Sequence, residues 1–330
     1  MRVGKKFLLV ATCILVASLF PQIAFSTGAA EPVPTDGVPD EITLIVPYSA
    51  GGGTDATARQ IARYLEGVLG STIVVVNRPG AGGAFGMEEL TSAAPTGSTI
   101  GLVPYPANVM TTFLGATAYD VHDFDYLVSF TQTPPALVLK PGSPFSDLEE
   151  LVGFARRNPG EVVASESGDT LLLSAVLLQD EAGIDITTVN YDGAGESLTA
   201  LLGGHVDAAF ISAQFIETAE DQGATAVAIA NDERLDTLGE VPTYTEYGYD
   251  VVMPISRVIA APQGLPESTR SALVDALVEV GGMEDFRADL IQGGEVPRLR
   301  SGDDLLDYIS AGVGTLQRIF AEHSEAFQRE

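Results

Sequence analysis

The chain has 330 residues, 45% of them hydrophobic, and a net charge of −28 from 45 acidic and 17 basic side chains. That length and apolar content suffice for two cores, while the charge repels nucleic acid and anionic membrane surfaces. The one cysteine is Cys13 and the one lysine beyond the first thirty residues is Lys140, which excludes a disulfide framework. It also points to a salty environment, where ions screen an acidic surface, and predicts a stability minimum at low salt.

Arg2, Lys5 and Lys6 precede an apolar run over 7–20, and small residues including Ser26 and Ala30 follow. This is the layout of a secretory signal peptide over 1–30. The run is short for a spanning helix, although a retained N-terminal anchor is the rival reading. Either one exports the remainder to the periplasm or the cell surface. Within that run Cys13 reads as a small apolar residue rather than a lipidation site.

From 42 to 46 the sequence is continuously apolar and reads as a buried parallel strand. The loop Pro47-Tyr-Ser-Ala-Gly-Gly-Gly-Thr-Asp55 follows. A helix over 56–69 comes next, with Ala58, Ile61, Ala62, Leu65 and Leu69 on one face, Thr54 or Asp55 as its cap and Gly70 as its stop. A strand at 73–76, a second glycine-rich loop at 77–86, a helix at 87–94 and a strand at 99–103 complete a β-α-β-α-β unit with a parallel sheet. Residues 120–130 are mixed in pattern. The strand–loop–helix theme then recurs: strands at 136–140, 161–164, 186–190, 205–211 and 224–230, with helices at 146–157, 171–182 and 196–202. Ser146 and Glu149 have capping-box spacing at the first of these helices. A strand at 257–261 precedes helices at 267–280, 283–293 and 303–327.

The first glycine loop offers backbone amides at a helix N-terminus, where an anion can be held. It has no Lys, and Asp55 sits near the place of the cation, so a nucleotide phosphate loop is excluded. An amide nest for one carboxylate and a simple tight turn both remain open. On the nest reading, a bulky residue at Gly52 blocks binding. The second loop fails the dinucleotide fingerprint because Phe85 stands where a Gly is required; a structural turn and a second ligand loop remain open. His122, His205 and His323 have no zinc spacing, and no Gly-x-Ser-x-Gly elbow occurs. Catalytic residues, metal ligands and cofactor motifs are therefore not assigned.

The turn Ser165-Glu-Ser-Gly-Asp-Thr170 either caps the next helix or donates to a ligand carboxylate. Tyr191-Asp-Gly-Ala-Gly195 adds an aromatic wall and bare amides that suit a small organic anion. Asn108 joins the candidate contacts. Arg257, in an apolar strand context, is expected to pair with a structural carboxylate rather than a ligand.

Several stretches together resemble the extracytoplasmic substrate-binding proteins of the tripartite tricarboxylate transporters, the Bug receptors. They are Ile42-Thr-Leu-Ile-Val-Pro-Tyr-Ser-Ala-Gly-Gly-Gly-Thr-Asp55 with Arg59, Val75-Val-Asn-Arg-Pro-Gly-Ala-Gly-Gly83 with Gly86, and Leu202-Gly-Gly-His-Val-Asp207. Val241-Pro-Thr243 with Glu246 and Gly248, and Ala260-Ala-Pro262 with Pro266, extend the match. The resemblance implies an α/β, two-lobed periplasmic-binding-protein fold of the type 2 kind, each lobe a mixed or parallel sheet flanked by helices. Lobe 1 would be 31–139 plus 256–330 and lobe 2 would be 140–255, with strand crossovers near 136–140 and 255–261. It also implies a receptor, not an enzyme, which delivers a small carboxylate to large and small membrane permease subunits and works as a monomer. A sensor subunit is the alternative reading, and a secreted hydrolase or transferase a remote one.

Carried over by position, the ligand contacts would be Tyr48, Ser49, Ala50, Gly51, Gly52, Gly53, Thr54 and Asp55 on one side. On the other they would be Ser165, Ser167, Gly168, Asp169 and Thr170, with Tyr191, Gly193, Ala194 and Gly195. Glu166 and Asp169 depart from the family's glycine-rich turn. Such acids cost affinity for an anion unless they point away or meet an amino group.

Overall fold

A computed structural model describes residues 37–115, 117–191, 193–323 and 327; the expected signal peptide and Cys13 lie outside them. β1 (Glu41–Val46) has the apolar residues Ile42, Leu44, Ile45 and Val46 buried, so both faces of its inner part are covered. α1 (Gly53–Leu69) buries Ala58, Ile61, Ala62, Leu65 and Leu69, the face read from the sequence, and stops at Gly70 with φ 72°. β2 (Thr72–Asn77), α2 (Ala84–Thr91) and β3 (Thr99–Tyr105) follow. Then come α3 (Ala107–Leu114), which the sequence reading lacked, and β4 (Phe124–Thr131), which resolves the mixed stretch into a strand. β5 (Pro135–Leu139) leads to α4 (Leu148–Arg157).

The cap of α4 lies one residue later than the spacing suggested. Asp147 accepts from the Glu150 amide at 2.9 Å, and the Ser146 amide donates to the Glu150 carboxylate at 2.8 Å. Ser146 with Glu149 and Asp147 with Glu150 have the same spacing, so local pattern alone could not choose between them.

β6 (Val163–Glu166), α5 (Asp169–Ala182), β7 (Thr187–Asn190), α6 (Ala194–Leu202), β8 (Ala208–Ser212), α7 (Ile216–Glu220) and β9 (Thr225–Ile229) build the middle of the chain. β10 (Ser256–Pro262), α8 (Glu267–Gly282), α9 (Glu284–Gln292), β11 (Pro297–Ser301) and α10 (Gly302–His323) complete it. The strands form a six-stranded sheet in the order β11-β4-β10-β3-β1-β2 and a five-stranded sheet in the order β7-β6-β8-β5-β9. Both are mixed. β1 is parallel to β2 and β3 while β10 is antiparallel to β3 and β4, and β6 is parallel to β7 and β8 while β5 is antiparallel to β8 and β9. This is the expected α/β architecture.

The range 31–139 contains β5, which pairs in the five-stranded sheet. The chain changes sheets at Gln132 and Thr133, where Thr133 forms an isolated antiparallel bridge with Ile255 on the returning segment. Apolar packing covers both faces of the larger sheet. Leu44, Ile61, Leu102 and Leu277 share one cluster, and Val103, Tyr105 and Leu305 share another with Leu137, Leu177 and Phe210. Each fully buried side chain of this size contributes roughly 1.5–3 kcal/mol.

Candidate functional site

The strand ends and helix starts of both sheets converge on one cavity of about 380 Å³. From the larger sheet it takes Tyr48 after β1, Gly82 of the second glycine loop, Pro104 and Tyr105 of β3, Ala107, Met110 and Thr111 of α3, and Arg257 of β10. From the smaller sheet it takes Ser167 to Leu171, Ala194, Ser212 and Gln214. Ala107, Asp169 and Ala194 are the first residues of α3, α5 and α6, so three helix N-termini border the space. Helix N-termini carry partial positive charge and amide donors that favour a small anion.

Gly168, the N-cap of α5, has φ 86° and ψ 157° and carries no side-chain cap. Glycine occupies that backbone region almost alone. Its torsion starts α5 directly at the cavity wall.

Arg257 lies at the cavity and donates from Nε to Glu295 Oε1 at 2.9 Å. It therefore does have the structural carboxylate the sequence favoured. The other oxygen of Glu295 accepts from Thr133 Oγ1 at 2.6 Å. One buried carboxylate thus joins a cavity cation to the segment where the chain changes sheets. Beside it, Gln132 donates to Asn231 at 2.6 Å and to Asp232 at 2.9 Å, and accepts from Arg300. The Gln132–Asn231, Thr133–Glu295 and Arg300–Gln132 hydrogen bonds are buried, so breaking one leaves a buried polar group unmet. The Tyr48 hydroxyl has its pKa raised by burial; Arg257 opposes the shift and Asp169 adds to it.

The candidate residues divide sharply. Tyr48, Ser167, Gly168, Asp169, Thr170 and Ala194 line the cavity. Ser49, Ala50, Gly51, Gly52, Gly53, Thr54 and Asp55 are not among its lining residues. Asp55 does not cap α1; the N-cap is Gly52, without a side-chain bond. The Asp55 carboxylate instead accepts from the Gly51 amide at 2.9 Å, from Asn77 Nδ2 at 3.0 Å and from Arg59 Nε at 3.0 Å. Hydrogen bonding to Arg59, then to the Gly51 amide and Asn77, outweighs burial and holds its pKa at about 2. The loop's own acid thus takes one of the amides, that of Gly51, expected for a ligand acid. A Cβ at Gly52 would meet only Ser49 O, at 3.7 Å, so the protein itself leaves room for a side chain there.

On the facing side Ser165 is fully buried in β6 and receives a hydrogen bond from Ser197 Oγ at 2.8 Å. Glu166 is buried in the same strand, outside the lining. Asn108 is buried and donates to the Tyr126 hydroxyl at 3.2 Å. Tyr191, Gly193 and Gly195 stand outside the lining although Ala194 belongs to it. Thr111, Thr133, Ser212, Gln214 and Glu295 were not foreseen. Ser212 and Gln214 had one usable signal, their place at the carboxyl end of a strand. Glu295 had none.

The second glycine loop serves packing and the cavity together. Gly82 lines the cavity, a Cβ on Gly86 would meet Pro47 Cα at 2.8 Å, and one on Gly83 would meet the Tyr48 ring at 3.3 Å.

Two mixed α/β sheets, a chain that changes sheets and back, and a cavity between them are the architecture of the periplasmic-binding-protein fold. Residues 57–324 match the profile of the tripartite tricarboxylate transporter family receptor. Protein BugT of Bordetella pertussis is 32% identical over 247 residues, 72% of this chain and 76% of its own. A TctC solute-binding protein from Polaromonas superposes with a TM-score of 0.79 at 24% identity, covering 86% of this chain and 98% of its own. R. palustris Rpa4515 with adipate superposes at 0.70 with 25% identity, covering 85% and 96%. The chain belongs to the tripartite tricarboxylate transporter receptor family, as its motifs suggested. That family is one of substrate-binding receptors, not of enzymes. Among the described residues no helix is long and apolar enough to cross a membrane.

Proposed function

We propose that this receptor captures a small carboxylate in the cavity between its sheets and delivers it to a tripartite tricarboxylate-type permease of one large and one small membrane subunit. The observation that carries this reading is the convergence of three helix N-termini and Arg257 on one cavity of about 380 Å³. Amide donors at helix starts bind carboxylates without a formal countercharge. The adipate held by the R. palustris protein supports a straight-chain acid of similar size.

Tyr48, Ser167, Thr170 and Ala194 contact the ligand directly, and residues 49–55 support Tyr48 from behind. The part of the chain on each sheet moves as a lobe, hinged at Gln132, Thr133 and Ile255, and closes on the ligand. The receptor works as a monomer, released from its signal peptide.

A thermal-shift screen of the exported protein against mono-, di- and tricarboxylates, amino acids, sugars and cations tests the reading. A ligand at 100 times its Kd adds about 2.7 kcal/mol of stability. A shift with a sugar or a cation and none with any carboxylate overturns it.

A further inference from the structure

We propose that Arg257 is a specificity-determining residue and Glu295 its positioning residue: the terminal N–H groups of the guanidinium, held from behind by Glu295, take an acid at the far end of the ligand from the carboxylate on the starts of α5 and α6. The inference rests on the carboxylate-receptor reading and narrows it to ligands with an acid at both ends.

A guanidinium carries several N–H donors, and each that loses water needs an acceptor. Arg257 has 16% of its side chain exposed, and among the described residues that side chain donates only from Nε, to Glu295 at 2.9 Å. Nη1 and Nη2, the terminal nitrogens, have no acceptor among those residues. Their paired N–H groups are the end of the fork that grips a carboxylate through both oxygens.

The partner is built to hold that fork still. Glu295 has 5% of its side chain exposed. One oxygen accepts from Arg257 and the other from Thr133 Oγ1 at 2.6 Å, while Thr133 Oγ1 accepts from the Val296 amide at 3.1 Å. The backbone of Thr133 is itself tied to Ile255 by hydrogen bonds of 2.8 and 2.9 Å. The cation and its holder are thus anchored where the chain changes sheets.

Topology separates this group from the amides. Thr133, Ile255, Arg257 and Glu295 wall the cavity at the crossover, whereas Ser167 to Thr170 and Ala194 wall it at the helix starts of the smaller sheet. A ligand whose first carboxylate sits on those starts reaches the crossover with its other end. A methyl group there strips water from Nη1 and Nη2 and offers no acceptor in return. A carboxylate there meets them with charge-assisted hydrogen bonds. Unmet donors, not the net charge of the cavity, make the choice.

The test is calorimetric titration of the exported protein with pairs of equal chain length that differ at one end: butanoate and succinate, pentanoate and glutarate, hexanoate and adipate. In at least one pair the diacid should bind about 10- to 100-fold tighter, the range for a hydrogen bond to a charged group. Arg257→Gln should remove most of that ratio. Arg257→Lys keeps a charge for Glu295, so it serves if the first variant folds poorly, and it should lower the ratio too because an ammonium lacks the fork. Thr133→Val, which releases one oxygen of Glu295, should cut the ratio by about 3- to 10-fold, the scale of an ordinary hydrogen bond, and Thr133→Ser should restore it.

Equal or tighter binding of the monoacid in every pair overturns the inference and leaves the carboxylate receptor intact. A diacid preference that survives both Arg257 variants overturns it as well, since the far end then lies elsewhere. A ratio that Thr133→Val leaves whole overturns the role given to Glu295. Binding of no acid in either series overturns the receptor reading and the inference with it.

Discussion

The loop after β1 and the turn before α5 share small residues and a position at a helix N-terminus, yet they do opposite things. In the first, three glycines expose amides, and Asp55 folds back to take the Gly51 amide, Asn77 and Arg59. In the second, Gly168 starts α5 without a side-chain cap and four further residues line the cavity with it. A glycine-rich helix start is an anion site only while no side chain of its own chain occupies it. Here Asp55 takes the Gly51 amide of the first, and of residues 48–55 only Tyr48 lines the cavity.

Four measurements separate the two regions. Asp55→Ala removes a buried carboxylate with three partners and is expected to cost about 2–3 kcal/mol in urea unfolding, with ligand affinity of the folded fraction changed little. A collapse of affinity at unchanged stability would make the first loop a ligand wall after all. Gly168→Val forces a side chain into φ 86° and is expected to cost about 1–3 kcal/mol. It should also abolish binding, since α5 then starts away from the wall; full affinity by titration would show that the turn is not the contact.

The third concerns pH. Asp55 titrates at about 2 in the fold against an ordinary 3.8. A lowered carboxylate pKa gives stability that is present above the ordinary value and lost as pH falls through the folded one. The stability gap between the wild type and Asp55→Ala should thus be full at about pH 5 and shrink as pH drops from about 4 to about 2. A gap that stays constant to about pH 2 would mean the carboxylate is not held as described. The smallest effect belongs to Gly52→Ala. With φ −82° and only Ser49 O near, at 3.7 Å, it should change stability by no more than about 0.5 kcal/mol and leave affinity alone.

Much of the fold was legible because its central strands, such as β1, β3 and β8, are buried and read as apolar runs flanked by helical spacing. β11 escaped because Pro297, Arg298, Leu299, Arg300 and Ser301 form an edge strand with no apolar run, which only its pairing to β4 reveals. α3 escaped because no polar cap announces it; its N-cap is Pro106. At the site, local signals found the turn around Gly168 and the start of α6. Glycine spacing reports bare amides at residues 49–55 but not that Asp55 folds back onto the Gly51 amide. Thr133 and Glu295 meet across 162 residues, a pairing that chain folding makes and that no local pattern carries.

The approach of Gly86 to Pro47, and of Gly83 to the Tyr48 ring, has a practical meaning for anyone redesigning this receptor. The ring that faces the cavity from β1 rests against a helix start with no room to spare. A methyl group added behind it, at a residue outside the lining, would push Pro47 and Tyr48 forward and reshape the pocket as surely as a substitution in its wall. Specificity can therefore be retuned, or ruined, from the back of the loop.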